Sequence, residues 1–157
     1  MRLLLVRHGD AEDYAESDCS RRLTAKGQKQ AAAAGRFLRT RGFRPAEIIC
    51  SPYTRARETA AGILAELPAE WDLQIRTVSR LGCGCTGGDM REILSAGRRD
   101  GDILAVGHQP DCGGILEYFI GGGQFAFKKC TMAVIQLYEI RANAGELLAF
   151  VPADLQD

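Results

Sequence analysis

The sequence predicts an α/β fold: a mainly parallel central sheet with helices on both faces, forming a single domain over residues 1–157. Three observations predict it. Short apolar runs recur at Leu3–Val6, Ile48–Cys50 and Ile103–Val106, continuous rather than alternating, as expected for strands buried on both faces. Longer segments with apolar residues at helical spacing separate them. Residues that start and stop helices punctuate the junctions, so strand and helix alternate as in βα units.

The first strand is read over residues 2–6 and stops at Arg7-His8-Gly9-Asp10. After a polar stretch from Asp10 to Arg22, Thr24 offers an N-cap for an alanine-rich helix running to about Arg41, with Gly42 as its C′ residue. Ile48–Cys50 is the next strand. Ser51-Pro52 then reads as an N-cap followed by proline at the first helical position. Ala56, Ala60, Ile63, Leu64 and Leu67 keep one face of that helix apolar up to Pro68. Leu73–Val78 reads as a strand and the glycine- and cysteine-rich Leu81–Gly88 as a loop. Asp89 is read as the cap of a short helix to about Ala96. Asp102–Val106 is a buried strand broken at Gly107-His108-Gln109-Pro110, and Pro110–Ile120 is a helix ended by Gly121-Gly122-Gly123. Two last strands, about Thr131–Tyr138 and Glu146–Val151, flank a hairpin connection at 141–145.

Composition narrows the function. Twenty basic and twenty acidic side chains give no net charge, hence no electrostatic footprint for nucleic acid or an anionic membrane. The longest early apolar run is too short for a signal peptide or a membrane span, so a cytoplasmic location is expected. The six cysteines are scattered, and they read mostly as free thiols. Cys83-Gly84-Cys85 has no second ligand pair to complete a zinc set, so no metal is expected.

The chain contains only two histidines, and both sit just past the carboxyl end of an apolar strand. Ligands of open α/β sheets bind outside those ends, so His8 and His108 from adjacent strands would face one crevice. Arg7 adjoins His8, and Arg55 falls in the first turn after the Ile48–Cys50 strand. Two histidines and two arginines framed by helix N-termini suit a dianionic phosphoryl group. Arg98-Arg99 and Lys128-Lys129 read as solvated charge, with docking of an acidic partner a weaker use for the lysines.

Four strings occur in order: Arg7-His8-Gly9, Arg22-Leu23-Thr24-Ala25-Lys26-Gly27, Ser51 through Ala60 (SPYTRARETA), and Gly107-His108-Gln109-Pro110. Together they resemble the histidine phosphatase (phosphoglycerate-mutase-like) superfamily. The short length, the RHGDA start and the uninserted middle are similar to its SixA-type phosphohistidine phosphatases. The resemblance implies a metal-independent phosphatase without cofactor. In it His8 is the nucleophile, Arg7 and Arg55 hold the phosphoryl oxygens, and His108 stabilises the transferring group. Arg21 is a further candidate at the pocket mouth.

The sequence departs from the wider superfamily where a glutamate usually protonates a departing alkoxide, because Leu81–Asp89 contains none. A phosphohistidine leaves as neutral imidazole once its own ring is protonated, so the missing acid favours P–N over P–O substrates. Asp10 and Asp89 stand as candidate acids, Asp89 having a capping role as its other reading. The short chain also implies an open site and, as partner, a phosphohistidine-bearing phosphotransfer domain or phosphocarrier. The alternatives are a small-molecule phosphomonoesterase of the same superfamily and, in a different class, a non-catalytic module that binds phosphate or phosphoprotein. A protonated His108 beside a neutral His8 would give a bell-shaped pH profile.

Overall fold

A computed structural model describes residues 1–97 and 100–156. The Arg98-Arg99 pair lies outside the described residues. Strands β1 (Arg2–Arg7), β2 (Pro45–Cys50), β3 (Ile75–Thr77), β4 (Asp102–Gly107), β5 (Met132–Leu137) and β6 (Gly145–Val151) form one six-stranded sheet in the order β3-β2-β4-β1-β5-β6. The four strands from β3 to β1 are parallel, and β5 and β6 add antiparallel at one edge. Helices α1 (Ala25–Thr40), α2 (Thr54–Leu64), α3 (Gly87–Ala96) and α4 (Asp111–Ile120) cover both faces.

Period-2 alternation explains why the central strands are apolar throughout. Leu4, Val6, Ile48, Cys50, Leu104 and Val106 pack with Ala34, Leu38, Ala56, Ala60 and Ile63 of α1 and α2. Their strand neighbours Leu3, Leu5, Ile49, Ile103 and Ala105 pack on the other side with Met90, Leu94, Ile115, Leu116 and Phe119 of α3 and α4. Truncating any of these buried leucines to alanine is expected to destabilise by ~2–5 kcal/mol, from lost transfer energy plus a cavity.

Helix α1 begins as its sequence indicates: Thr24 Oγ1 accepts from the Gly27 amide at 3.1 Å, and Gly42 follows the helix at φ +71°. Its first turn presses on the chain leaving β1. A Cβ on Gly27 would stand 2.0 Å from the Asp10 carbonyl oxygen, so only glycine permits that approach.

Several boundaries differ from expectation. Helix α2 starts at Thr54 with Tyr53 as N-cap, not at Ser51-Pro52, and it ends at Leu64. The Ser51 hydroxyl is instead bonded to the His108 ring and the Tyr53 amide. The strand expected over Leu73–Val78 is confined to Ile75–Thr77, and a 3-10 turn (Ser79–Leu81) follows it. Thr86, not Asp89, is the N-cap of α3, and Asp89 closes a reciprocal capping box as the third helical residue. Helix α4 begins one residue later than expected, at Asp111. No helix among the described residues is long and apolar enough to cross a membrane.

Candidate active site

Strands β1 and β4 are parallel neighbours in register, Arg7 opposite Gly107, so both chains leave the sheet at the same edge. Each exit carries a histidine. The His8 and His108 ring centroids are 5.3 Å apart, and the His8 amide donates to the Gly107 carbonyl at 3.0 Å. Arg55, in the first turn of α2, reaches between them. Its Nε donates to His8 Nε2 at 3.2 Å, and its Nη2 lies 3.5 Å from His108 Nδ1. The structure thus brings His8, His108 and Arg55 together, each at most 4% exposed.

The hydrogen bonds assign the tautomers. His8 Nδ1–H donates to the Gly9 carbonyl at 2.7 Å, which leaves the Nε2 lone pair directed at Arg55. His108 Nε2–H donates to Ser51 Oγ at 2.7 Å, so its Nδ1 faces the guanidinium. Burial, reinforced by Lys129, His108 and Arg55, pushes the His8 pKa down to about 3. Burial, then Arg55, brings His108 down to about 4. Burial therefore holds both rings neutral at pH 7 in this state.

Arg7 is half-buried. Its Nη1 donates to the Phe127 carbonyl at 2.6 Å, while its buried Nε has no protein partner among the described residues and keeps a donor free. Arg21 lies at the rim, where its Nη1 donates to Asp18 Oδ1 at 2.9 Å and its Nε is bonded to the Glu12 carbonyl. The two other candidates are committed elsewhere. Asp10 Oδ2 accepts from Thr24 Oγ1 at 2.7 Å. Asp89 accepts from the Thr86 hydroxyl and amide, bonds that hold its carboxyl below the usual carboxylate range.

Several site residues escaped the sequence reading. Asp18, on an exposed 3-10 turn (Asp18–Ser20), accepts from Arg55 Nη2 at 3.0 Å, and its backbone carbonyl accepts from Arg55 Nη1 at 2.5 Å. The bonds from Arg21 and Arg55 hold its carboxyl low. Tyr53 stacks edge-on to His108 at 4.9 Å and carries the Arg55 guanidinium over its ring at 4.9 Å. Cys83 Sγ lies 3.9 Å from Arg55 Nη2. Asp18, Tyr53 and Cys83 thus all contact the Arg55 guanidinium. Lys129, read as solvated charge, is half-buried, and its charge acts on both histidines; Lys128 is exposed. The one available signal was proximity to the strand edge: Ser51, Tyr53 and Lys129 all lie within three residues of a strand end.

All six cysteines are free thiols, and no cluster of metal-ligating side chains occurs among the described residues. Burial pushes Cys85 up to about 12 and raises Cys83, so both remain protonated at neutral pH.

Comparison with known proteins accords with this arrangement. The family described as "Histidine phosphatase superfamily (branch 1)" matches residues 3–81. The mitochondrial serine/threonine-protein phosphatase Pgam5 of Drosophila ananassae is 43% identical over 65 residues, 41% of this chain and 22% of that protein. The chain spans under a quarter of the length of the curated relatives it matches. Among solved structures, the protein histidine phosphatase SixA complexed with tungstate has a TM-score of 0.86 at 22% identity, over 98% of both chains. A SixA-designated protein from Agrobacterium tumefaciens has a TM-score of 0.78 at 22% identity, over 96% of both. These two likenesses establish the shared fold.

Proposed function

The chain belongs to the histidine phosphatase superfamily, branch 1, a hydrolase family with a histidine nucleophile, and from that premise we propose that it hydrolyses protein-bound phosphohistidine through a phospho-His8 intermediate. His8 Nε2 attacks phosphorus in line. A new N–P bond forms at His8 as the P–N bond to the substrate imidazole breaks, and the substrate's own ring proton leaves that imidazole neutral. Water then attacks the phospho-His8 phosphorus, releasing phosphate and restoring the neutral ring. Arg7 and Arg55 neutralise the equatorial oxygens, and His108 donates to the transferring group once a dianion beside it raises its proton affinity. Arg21 meets the substrate at the rim.

One observation carries the choice of a P–N bond: a neutral nucleophile sits among carboxylates that are all engaged as acceptors. Asp18 is held by Arg21 and Arg55, Asp89 by Thr86, and Asp10 by Thr24. None stands as a proton donor to a departing alkoxide, which a P–O ester needs and a phosphohistidine does without. The fold likeness to SixA supports the same substrate class. The natural partner is then a phosphotransfer domain or phosphocarrier presenting the modified histidine.

A second reading, hydrolysis of phosphoserine or phosphothreonine on protein, is favoured by the local identity to Pgam5. The deciding experiment measures phosphate release from a phosphohistidine-bearing phosphotransfer protein beside a phosphothreonine peptide, p-nitrophenyl phosphate and sugar phosphates, with His8→Ala as control. Preference for the phosphohistidine protein, abolished in the variant, is expected. Faster turnover of any P–O ester overturns the assignment.

A further inference from the structure

The segment that joins α4 to β5 is fastened to the nucleophile's own backbone. The Cys130 amide donates to the His8 carbonyl at 3.1 Å, the Arg7 amide donates to Thr131 O at 3.1 Å, and Arg7 Nη1 reaches Phe127 O. Cys130 adopts φ +57°, a left-handed conformation that non-glycine residues rarely take. It is held there from both sides, its amide by His8 and its carbonyl by the buried Gln156 amide at 2.8 Å. Strain of this kind persists where the surrounding structure over-determines it, and it marks functional segments. Its result is local: the Cys130 thiol enters the core of the α1/α2 face, while the charge of the preceding Lys129 is felt at both His8 and His108.

The surroundings of Lys129 are unusual for an ammonium. It is half-buried and has no hydrogen bond or ion pair among the described residues. The charges acting on it from Arg7, Arg21 and Arg55 are all repulsive, and the attraction comes from Asp10, whose carboxylate is already engaged by Thr24. With both histidines neutral, the four cations Arg7, Arg21, Arg55 and Lys129 face the two carboxylates Asp10 and Asp18, a surplus of two positive charges. A dianion matches that surplus, and a preorganised cation is most effective where water is already excluded.

We propose that Lys129 is a phosphoryl-binding residue of this site, its ammonium completing the cationic set formed by Arg7, Arg55 and Arg21. The inference rests on the reading that the His8 pocket receives a phosphoryl group. It adds an N–H donor to a phosphoryl oxygen from the antiparallel edge of the sheet, opposite the side from which Arg55 enters. Lys128, one residue earlier and exposed, has no such role.

Equilibrium binding of inorganic phosphate, measured by calorimetry beside thermal melting, tests this with three variants. Lys129→Met is expected to weaken phosphate about tenfold, as loss of one charge-assisted hydrogen bond does. Lys129→Arg should recover most of that loss, Lys128→Met should bind as the unaltered protein does, and melting should not fall in any of them. Unchanged phosphate affinity in Lys129→Met overturns the proposal, as does an equal loss in Lys129→Met and Lys129→Arg accompanied by lower melting, which would make the residue structural. Because the probe is phosphate itself, failure here leaves the phosphohistidine assignment standing, and failure of that assignment leaves this binding result standing.

Discussion

The Nε–H of Arg55 donates to Nε2 of His8 across 3.2 Å, so the guanidinium proposed to hold the phosphoryl group first holds the lone pair of the proposed nucleophile. One planar cation thereby orients the ring, disfavours its protonation and stays within reach of the phosphorus that replaces the contact. Lysine cannot do this, having neither the fork nor a donor at the Nε position. Arg55→Lys should lower kcat/KM by roughly 10²-fold or more while leaving the fold intact, since two or more charge-assisted bonds are lost. Steady-state kinetics beside circular dichroism will show it, and near-normal kinetics would exclude the shared role.

The depressed histidines set the pH response. Against an ordinary 6.5, His8 is pushed down to about 3 and His108 to about 4, so the folded, unliganded site holds both rings neutral and His8 keeps its lone pair well below pH 6.5. On the acid side kcat/KM should therefore stay level down to about pH 5 and fall only as pH drops through 4. Stability follows the same sign: below 6.5 the unfolded chain takes up protons that the folded one refuses. Each pH unit lost between 6.5 and about 4 should then remove up to ~1.4 kcal/mol per histidine. Denaturant titrations at pH 7, 6 and 5 on the protein and on His108→Gln will measure the slope. An activity limb centred near 6.5 would contradict the burial argument.

Asp18 occupies the outer nitrogens of Arg55 and binds Arg21 with its other oxygen, so it competes with any incoming anion. Its carboxylate is more than half exposed, which limits each pair to ~0.2–1 kcal/mol. Asp18→Asn should accordingly lower the KM for substrate and the Ki for phosphate about two- to fivefold, with kcat retained. A fall in kcat of tenfold or more would instead give the carboxylate a part in the chemistry.

The two ends of the α3 capping box can be separated. Thr86→Ala removes the N-cap acceptor and should destabilise by ~1 kcal/mol with little change in kcat. Asp89→Asn should leave turnover within about twofold on every substrate, because its carboxylate is spent on Thr86. A loss of a hundredfold on P–O esters in the second variant would restore Asp89 as an acid.

What could be read from the chain follows from which forces are local. β1 and β4 were legible because both faces of each are buried, which leaves a continuous apolar run, and the two histidines were legible because each closes such a run. Arg55 followed from its place one turn into a helix. Ser51 was misjudged because a serine before proline is a good helix cap, whereas here its hydroxyl is claimed by His108 from the neighbouring strand. Asp18 and Lys129 were invisible for the same reason. One stands on an excursion fixed by the Ala11–Leu23 bridge and the Glu58 contacts to Arg22 and Leu23, the other on a loop fixed by His8, and neither constraint leaves a periodic signature.

The pairing of β1 with β4 joins residues 100 positions apart, Leu3 with Ile103 through Arg7 with Gly107. The reacting centre therefore does not exist in any partly formed first half of the chain, however well α1 and α2 have docked. Loop-closure entropy places such a long-range parallel pairing among the slow steps of folding. Recovery of turnover after dilution from denaturant is then a clock for the closing of the sheet, and helical signal should return before activity does.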